Sequence, residues 1–339
     1  MDNTINLFDL KANNALAFCC NEYDFSNFTE VYVNAHNMND VPPFGMLLVA
    51  SKLRSIRQAN QHAKFYINGI ENKSYAAHMG FFKSFNVGFG KSPGEACGNT
   101  NYIPITKLNV KELRIESYNS DNGVVQSVIE RKSRELAKVL TRGNLYVEEI
   151  VTYSIREIMR NIVEHSTAEE IWFAAQYWSS KDTVEISLLD EGVGIKQAIS
   201  INPNLVIKKP EDALLLSIEP GISGKAFKYK GRERIQEDSV WRNSGYGLYV
   251  TSKLCQLGGD FLICSGEKAL HIKGDKHQVV DTNFNGTAIR MRMKVSEIAN
   301  FKGNLVDEIV SKGEAIAKEN GDRANITASK VSRILTQTF

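Results

Sequence analysis

The chain has few cysteines, almost no net charge, no long apolar run and no histidine cluster, and each shortage closes off a class of protein. Five cysteines in 339 residues (Cys19, Cys20, Cys97, Cys255 and Cys264) show neither C-x-x-C spacing nor an even count. A disulfide framework is therefore disfavoured, and buried thiols in a reducing, cytoplasmic compartment are expected. Six histidines (His36, His62, His78, His165, His271 and His277) do not fall at metal-ligand spacing with those cysteines, which argues against a structural zinc site. Forty-one basic residues against 39 acidic ones leave a net charge of +2, so nothing global draws the chain to nucleic acid. No segment approaches the roughly 20 unbroken apolar residues that span a bilayer. The polar opening Met1-Asp2-Asn3-Thr4 lacks the basic and apolar regions of a signal peptide. A P-loop is missing too: Gly224-Lys225 is followed by Ala226, and the earlier glycine position holds Glu219.

What is there is a globular composition, 42% hydrophobic and 24% charged, in a chain long enough for two domains and a tail. Period-two patterning predicts strands over Glu30–Ala35 and Lys64–Ile70. Helical periodicity follows each of them, over 46–61 and 74–85, the first after the turn Pro42-Pro43-Phe44-Gly45. The glycine-rich stretch 86–101 reads as a loop. The extended stretch 103–118 reads as the seam between domains. Helices are predicted over 124–140 and 146–165, strands over 171–178 and 183–189, a loose Lys/Gly/Glu-rich region over 195–243, and a helix over 246–257. Strands over 260–265 and 286–294 close the domain, and amphipathic helix resumes in the tail. This order predicts an α+β fold, a mixed sheet covered on one side by helices.

Four groups of residues carry chemistry. Glu157 and Asn161 stand four apart, so a helix puts them on one face. A carboxylate beside a carboxamide suits a site that holds hydrated magnesium and polarises a water or hydroxyl. Asp190-Glu191-Gly192-Val193-Gly194 ends an apolar strand. There a carboxylate can accept a hydrogen bond from an exocyclic amine, and Gly192 and Gly194 admit a close ring. Ser244-Gly245-Tyr246-Gly247-Leu248 leads into a helix, whose N-terminal amides favour phosphate oxygens. Gly286-Thr287 opens the last strand and offers a hydroxyl. Taken singly, each is equally an ordinary helix face, strand end or softened helix start.

Their order is more specific than any one of them. Glu157/Asn161, Asp190-x-Gly192-x-Gly194, Gly245-x-Gly247-Leu248 and Gly286-Thr287 resemble the boxes of the ATPase superfamily of gyrase, heat-shock chaperones, histidine kinases and mismatch-repair proteins. That resemblance implies a Bergerat-type sandwich over 116–296 that binds ATP and Mg2+. It implies Glu157 as general base, Asn161 as the magnesium ligand and Asp190 as reader of the adenine amino group. Gly192 and Gly194 would admit the base, Gly245 and Gly247 would line the phosphates, Ser244, Tyr246 and Leu248 would also bind the cofactor, and Thr287 would lie near adenine. The region 195–243 corresponds to the mobile ATP lid, in which Lys225, Lys228 or Lys230 is either a solvated basic residue or a phosphate contact. More faintly, 1–115 resembles the STAS fold of anti-sigma antagonists, with no Ser or Thr in its Val41–Gly45 turn to take a phosphate. The resemblance implies a protein partner reached through this domain. The tail 297–339 suits packing on its own domain as well as a homodimer contact.

No histidine has the setting of a phosphoacceptor helix. The expected function is a slow ATP-hydrolysing regulatory switch. The alternatives are a serine/threonine kinase of the anti-sigma type and a non-hydrolysing ATP sensor. Membrane and nucleic-acid partners are not expected.

Overall fold

The computed structural model describes residues 3–120, 124–229, 232–233, 244–301 and 304–333. It is an α+β structure with two main sheets. In chain order the first elements are β1 (Thr4–Asn6), α1 (Ala12–Cys20), β2 (Glu30–Asn34), α2 (Pro43–Ala59), β3 (Lys64–Asn68), α3 (Ser74–His78) and α4 (Phe81–Ser84). β1, β2 and β3 form a parallel sheet in that order, with Thr4 opposite Tyr32 and Val31 opposite Phe65. The strand–turn–helix–strand–helix run expected from Glu30 to Phe85 is present, preceded by a strand and a helix that no sequence signal had marked.

The larger unit comprises β4 (Tyr102–Asn109), α5 (Val110–Ser120), α6 (Val125–Leu140), α7 (Leu145–Asn161), β5 (Glu170–Trp178) and β6 (Thr183–Asp190). After these come α8 (Ile195–Ile199), α9 (Pro210–Ser217), the short pair β7 (Lys228–Tyr229) and β8 (Arg232–Glu233), α10 (Gly247–Gln256), β9 (Asp260–Lys273) and β10 (Lys276–Lys294). The chain ends in α11 (Val295–Ala299), α12 (Leu305–Glu319) and α13 (Lys330–Arg333). Its five-stranded sheet runs β4-β5-β6-β10-β9, and every pairing is antiparallel, which corrects the mixed sheet expected from sequence. β4 pairs with β5, so the seam strand belongs to the larger sheet, and its second half is the helix α5 rather than extended chain.

Strand periodicity sorts this sheet into two faces. Phe173, Ile186, Leu188, Ile263, Ile289 and Met291 point into a core shared with α6, α7, α10 and α12. Trp172, Ala174, Leu189, Leu262, Cys264 and Ala288 point the other way, into a second core. That second face is covered as well: α1 and α2 pack on it, whereas the sequence led us to expect helices on one side only. Residues 41–50 of α2 and the turn before it are all buried, as expected of a helix apolar on all sides. The Val41–Gly45 turn is therefore inside the protein. The amide of Phe44 donates to Glu185 Oε1 at 3.0 Å, and Arg292 Nε donates to Glu185 Oε2 at 2.6 Å. A carboxylate from the sheet thus caps the start of the helix that covers it.

α7 starts cleanly because Asn144 Oδ1 accepts the amide of Val147 at 3.0 Å. Its stripe of Val147, Ile150, Val151, Ile155 and Ile158 is buried. The helix continues past Asn161 as one π-helical turn, Ile162–Ser166, before Thr167 breaks it with φ 59°. The tail packs on its own domain, with α12 against α10. The loose region holds α8 and α9. Lys230 and residues 234–243 of the expected lid lie outside the described residues.

Candidate functional site

At the end of the sheet where β6 stops, α7, α8 and α10 leave a cavity. It encloses roughly 800 Å3 of empty space, its open mouth included. Its wall takes Asn161, His165 and Ser166 from the end of α7, Asp190 from β6, Thr287 from β10 and Gly245, Gly247 and Leu248 from the start of α10. Six of the eleven residues singled out from sequence therefore meet on one surface.

Asp190 arrives there by strand register. It alternates in phase with Val184, Ile186 and Leu188, so it points toward the helical layer, directly opposite Thr287 on the neighbouring strand. Its carboxyl is 1% exposed, and its Oδ1 accepts the amide of Gly192 at 3.0 Å. Burial pushes its pKa up, to about 7. Gly192 is required by close approach: a Cβ there would stand 2.0 Å from the carbonyl oxygen of Ser166. The amide of Val193 uses the gap to donate to that oxygen at 2.6 Å. Gly194 starts α8 beside Ser265, whose hydroxyl accepts the amide of Ile195 at 2.9 Å and donates to Gly286 O at 2.7 Å. Gly192 and Gly194 thus shape the loop behind the wall.

Glu157 does not line the cavity. It sits in a buried run of alternating charge. Arg156 Nη1 donates to Glu130 Oε2 at 2.9 Å, while Arg156 Nε and Arg160 Nη1 both reach Glu157 Oε1 at 3.3 Å. Arg160 Nε then lies 3.5 Å from Glu164 Oε1. The carboxylate of Glu157 also backs the first turn of α10, since a Cβ on Gly247 would come within 2.4 Å of its Oε2. The helix signal and the glycine signal, read separately in the sequence, are thus in contact.

Two of the expected cofactor-binding residues turn elsewhere. Tyr246 is fully buried, and its hydroxyl donates to the carbonyl oxygens of Asn325 and Ile326 at 2.9 and 3.1 Å. Ser244 Oγ accepts the amide of Ser329 at 3.0 Å. Only the backbone of this loop and Leu248 are left to face the cavity.

Two further residues enter the site. His165, four residues after Asn161 and so on the same face, lines the wall rather than simply capping the helix. Burial, with Lys225 and Arg160 nearby, pulls its pKa down to about 4, so the ring is neutral at physiological pH. Lys225 is no solvated loop residue: its ammonium donates to the carbonyl oxygen of Glu164, beside His165. Ser223 and Gly224, within the stretch expected as the lid, also line the cavity. All five cysteines are free thiols, with Cys19, Cys255 and Cys264 buried. Among the described residues no group of three or more His, Cys, Asp or Glu is arranged to hold a metal ion. No helix among the described residues is long and apolar enough to cross a membrane.

The chain matches no protein-family model and no curated protein. A functional reading therefore starts from this cavity and the residues around it.

Proposed function

We propose that the chain binds ATP with Mg2+ in this cavity and acts as a regulatory switch that hydrolyses the nucleotide slowly. One observation carries the reading. A buried carboxylate, a carboxamide and a glycine-opened helix start come from separate parts of the chain to one cavity. In this reading Asp190 accepts the adenine amino group, which guanine lacks at that position, and Thr287 stands beside it. The triphosphate meets the first turn of α10, where Gly245 and Gly247 bring bare backbone to the cavity wall in the field of a ten-residue helix. Asn161 supplies a neutral oxygen to Mg2+, which adds no repulsion against the phosphates. Bound Mg2+ would screen the phosphate charge, and the lining from Ile158, Leu188, Val193, Ile195 and Ile289 excludes water around the base.

The placement of Glu157 favours a second reading, a non-hydrolysing ATP sensor. A carboxylate held by two buried arginines and absent from the cavity wall is poorly placed to take a proton from water. Labelled ATP separates the two, with Glu157→Gln as the comparison. Phosphate release by the wild type that disappears in Glu157→Gln supports the switch. Binding without release in either protein supports the sensor. Label transferred to an added lysate protein would replace both with a kinase.

A further inference from the structure

The segment between α12 and α13 touches the site from behind, with Asn325 at the centre of the contact. Asn325 Nδ2 donates to the carbonyl oxygens of Ala226, Gly221 and Ser244 at 2.7, 3.2 and 3.3 Å. Its own amide donates to Gly221 O at 2.9 Å, and its carbonyl accepts the hydroxyl of Tyr246. The amide of Gly221 in turn donates to Gly245 O at 3.2 Å. Three stretches of chain far apart in sequence therefore meet at one point. The junction is tight enough to require glycine. Gly221 and Gly245 have φ of 80° and 78°, and a Cβ on Gly221 would lie 2.4 Å from Asn325 O. Around it Ser329 holds the Ser244 hydroxyl, and Tyr153 of α7 donates to Ser332 O at 3.2 Å.

We propose that Asn325 is a positioning residue for the phosphate-binding half of the cavity, an inference that rests on the nucleotide reading above. Asn325 itself does not line the cavity; it acts through the backbone. Its partners Gly221, Ala226 and Ser244 flank the residues that do line it: Ile222, Ser223 and Gly224 on one side, Gly245 and Gly247 on the other. A primary amide suits this post because it supplies two N–H donors, shared among three carbonyls that no other side chain among the described residues is seen to serve. The base-reading end is held by separate bonds, from Gly192 to Asp190 and through Ser265 to Gly286. Loss of Asn325 therefore acts selectively. It misaligns the amides that meet phosphate and leaves the pocket for the base as it was.

The experiment compares MgATP with adenosine, which carries no phosphate, on the full chain by calorimetry. Asn325→Ala is expected to weaken MgATP about tenfold, the equivalent of one to two lost hydrogen bonds, and to change adenosine less than about twofold. Tyr246→Phe removes only the hydroxyl that holds the Asn325 carbonyl. It is expected to move MgATP in the same direction by about threefold, and it carries the test if the alanine variant fails to fold. A general loss of packing would weaken both ligands together, so equal losses overturn the inference, as does an unchanged MgATP affinity in a variant that folds. A wild-type chain that binds neither ligand overturns the nucleotide reading and this inference with it. A wild-type chain that binds both, with variants unchanged, overturns this inference alone.

Discussion

At the scale of single residues, Asp190 is held in a state that a ligand can change. Burial raises the pKa of its carboxyl to about 7, from an ordinary 3.8. The folded-state pKa is the higher one, so protonation of Asp190 favours the folded chain. That contribution is complete below the unfolded value and disappears as pH rises through about 7. An adenine amino group donates to the ionised form and so favours it, which makes base binding release a proton. Adenosine affinity is expected to rise between about pH 6 and pH 8, with proton release seen by calorimetry in buffers of different ionisation enthalpy. Asp190→Asn should abolish that dependence and melt higher than the wild type above pH 7 in the absence of ligand. A flat profile, with no proton exchanged, would mean that Asp190 does not meet the base. This residue was legible in the sequence because it ends an apolar strand in phase with its inward side chains. Asn325 was not, because its partners lie 81 to 104 positions away and no local pattern records them.

At the scale of elements, α7 carries most of the charge that organises the site. Glu130, Arg156, Glu157, Arg160 and Glu164 alternate in sign along α6 and α7, and the two arginines are almost completely buried. Breaking a buried pair leaves its partner uncompensated, at a cost of about 3–5 kcal/mol. Glu157→Ala should therefore unfold at markedly lower denaturant, and Glu157→Gln, which keeps the volume and an acceptor oxygen, at a smaller deficit. An alanine variant as stable as wild type would show that these pairs contribute nothing. The sequence marked α7, β5, β6 and α10 well, since each has a strong period and a clear start. It stopped β9 at residue 265 and began β10 at 286, whereas the strands run to Lys273 and from Lys276. The missing parts mix polar with apolar residues, are exposed over 276–279, and contain the register shifts between Asp281 and Ala288, so the apolar signal fades there. α5 was missed for a related reason: Val110, Leu113 and Ser117 face inward, too sparse a stripe to separate from extended chain.

At the scale of the whole molecule, the five-stranded sheet is buried on both faces, and its outer face is closed by the N-terminal helices. Arg54 on α2 stacks 4.0 Å from the centre of the Trp172 ring and donates to Glu191 at 2.5 Å, directly beside Asp190. Ser51 donates to the same carboxylate oxygen. The N-terminal unit is thus a structural layer of the candidate site rather than a detached module. A fragment beginning at Tyr102 would expose Trp172, Leu189, Leu262 and Ala288 as one apolar patch, and is expected to aggregate on gel filtration. A monodisperse fragment that still binds nucleotide would contradict this. Sequence periodicity led us to expect two packed units. It could not show that they share a core, because a strand buried on both faces reads alike whichever neighbour covers it.

The most direct measurement is calorimetric titration of the wild-type chain and Asp190→Asn with MgATP and with MgGTP. Micromolar binding of MgATP is predicted, with MgGTP at least about tenfold weaker and the preference lost in Asp190→Asn. No heat from MgATP at about 1 mM, or equal MgATP affinity in the two proteins, would contradict an adenine nucleotide in this cavity.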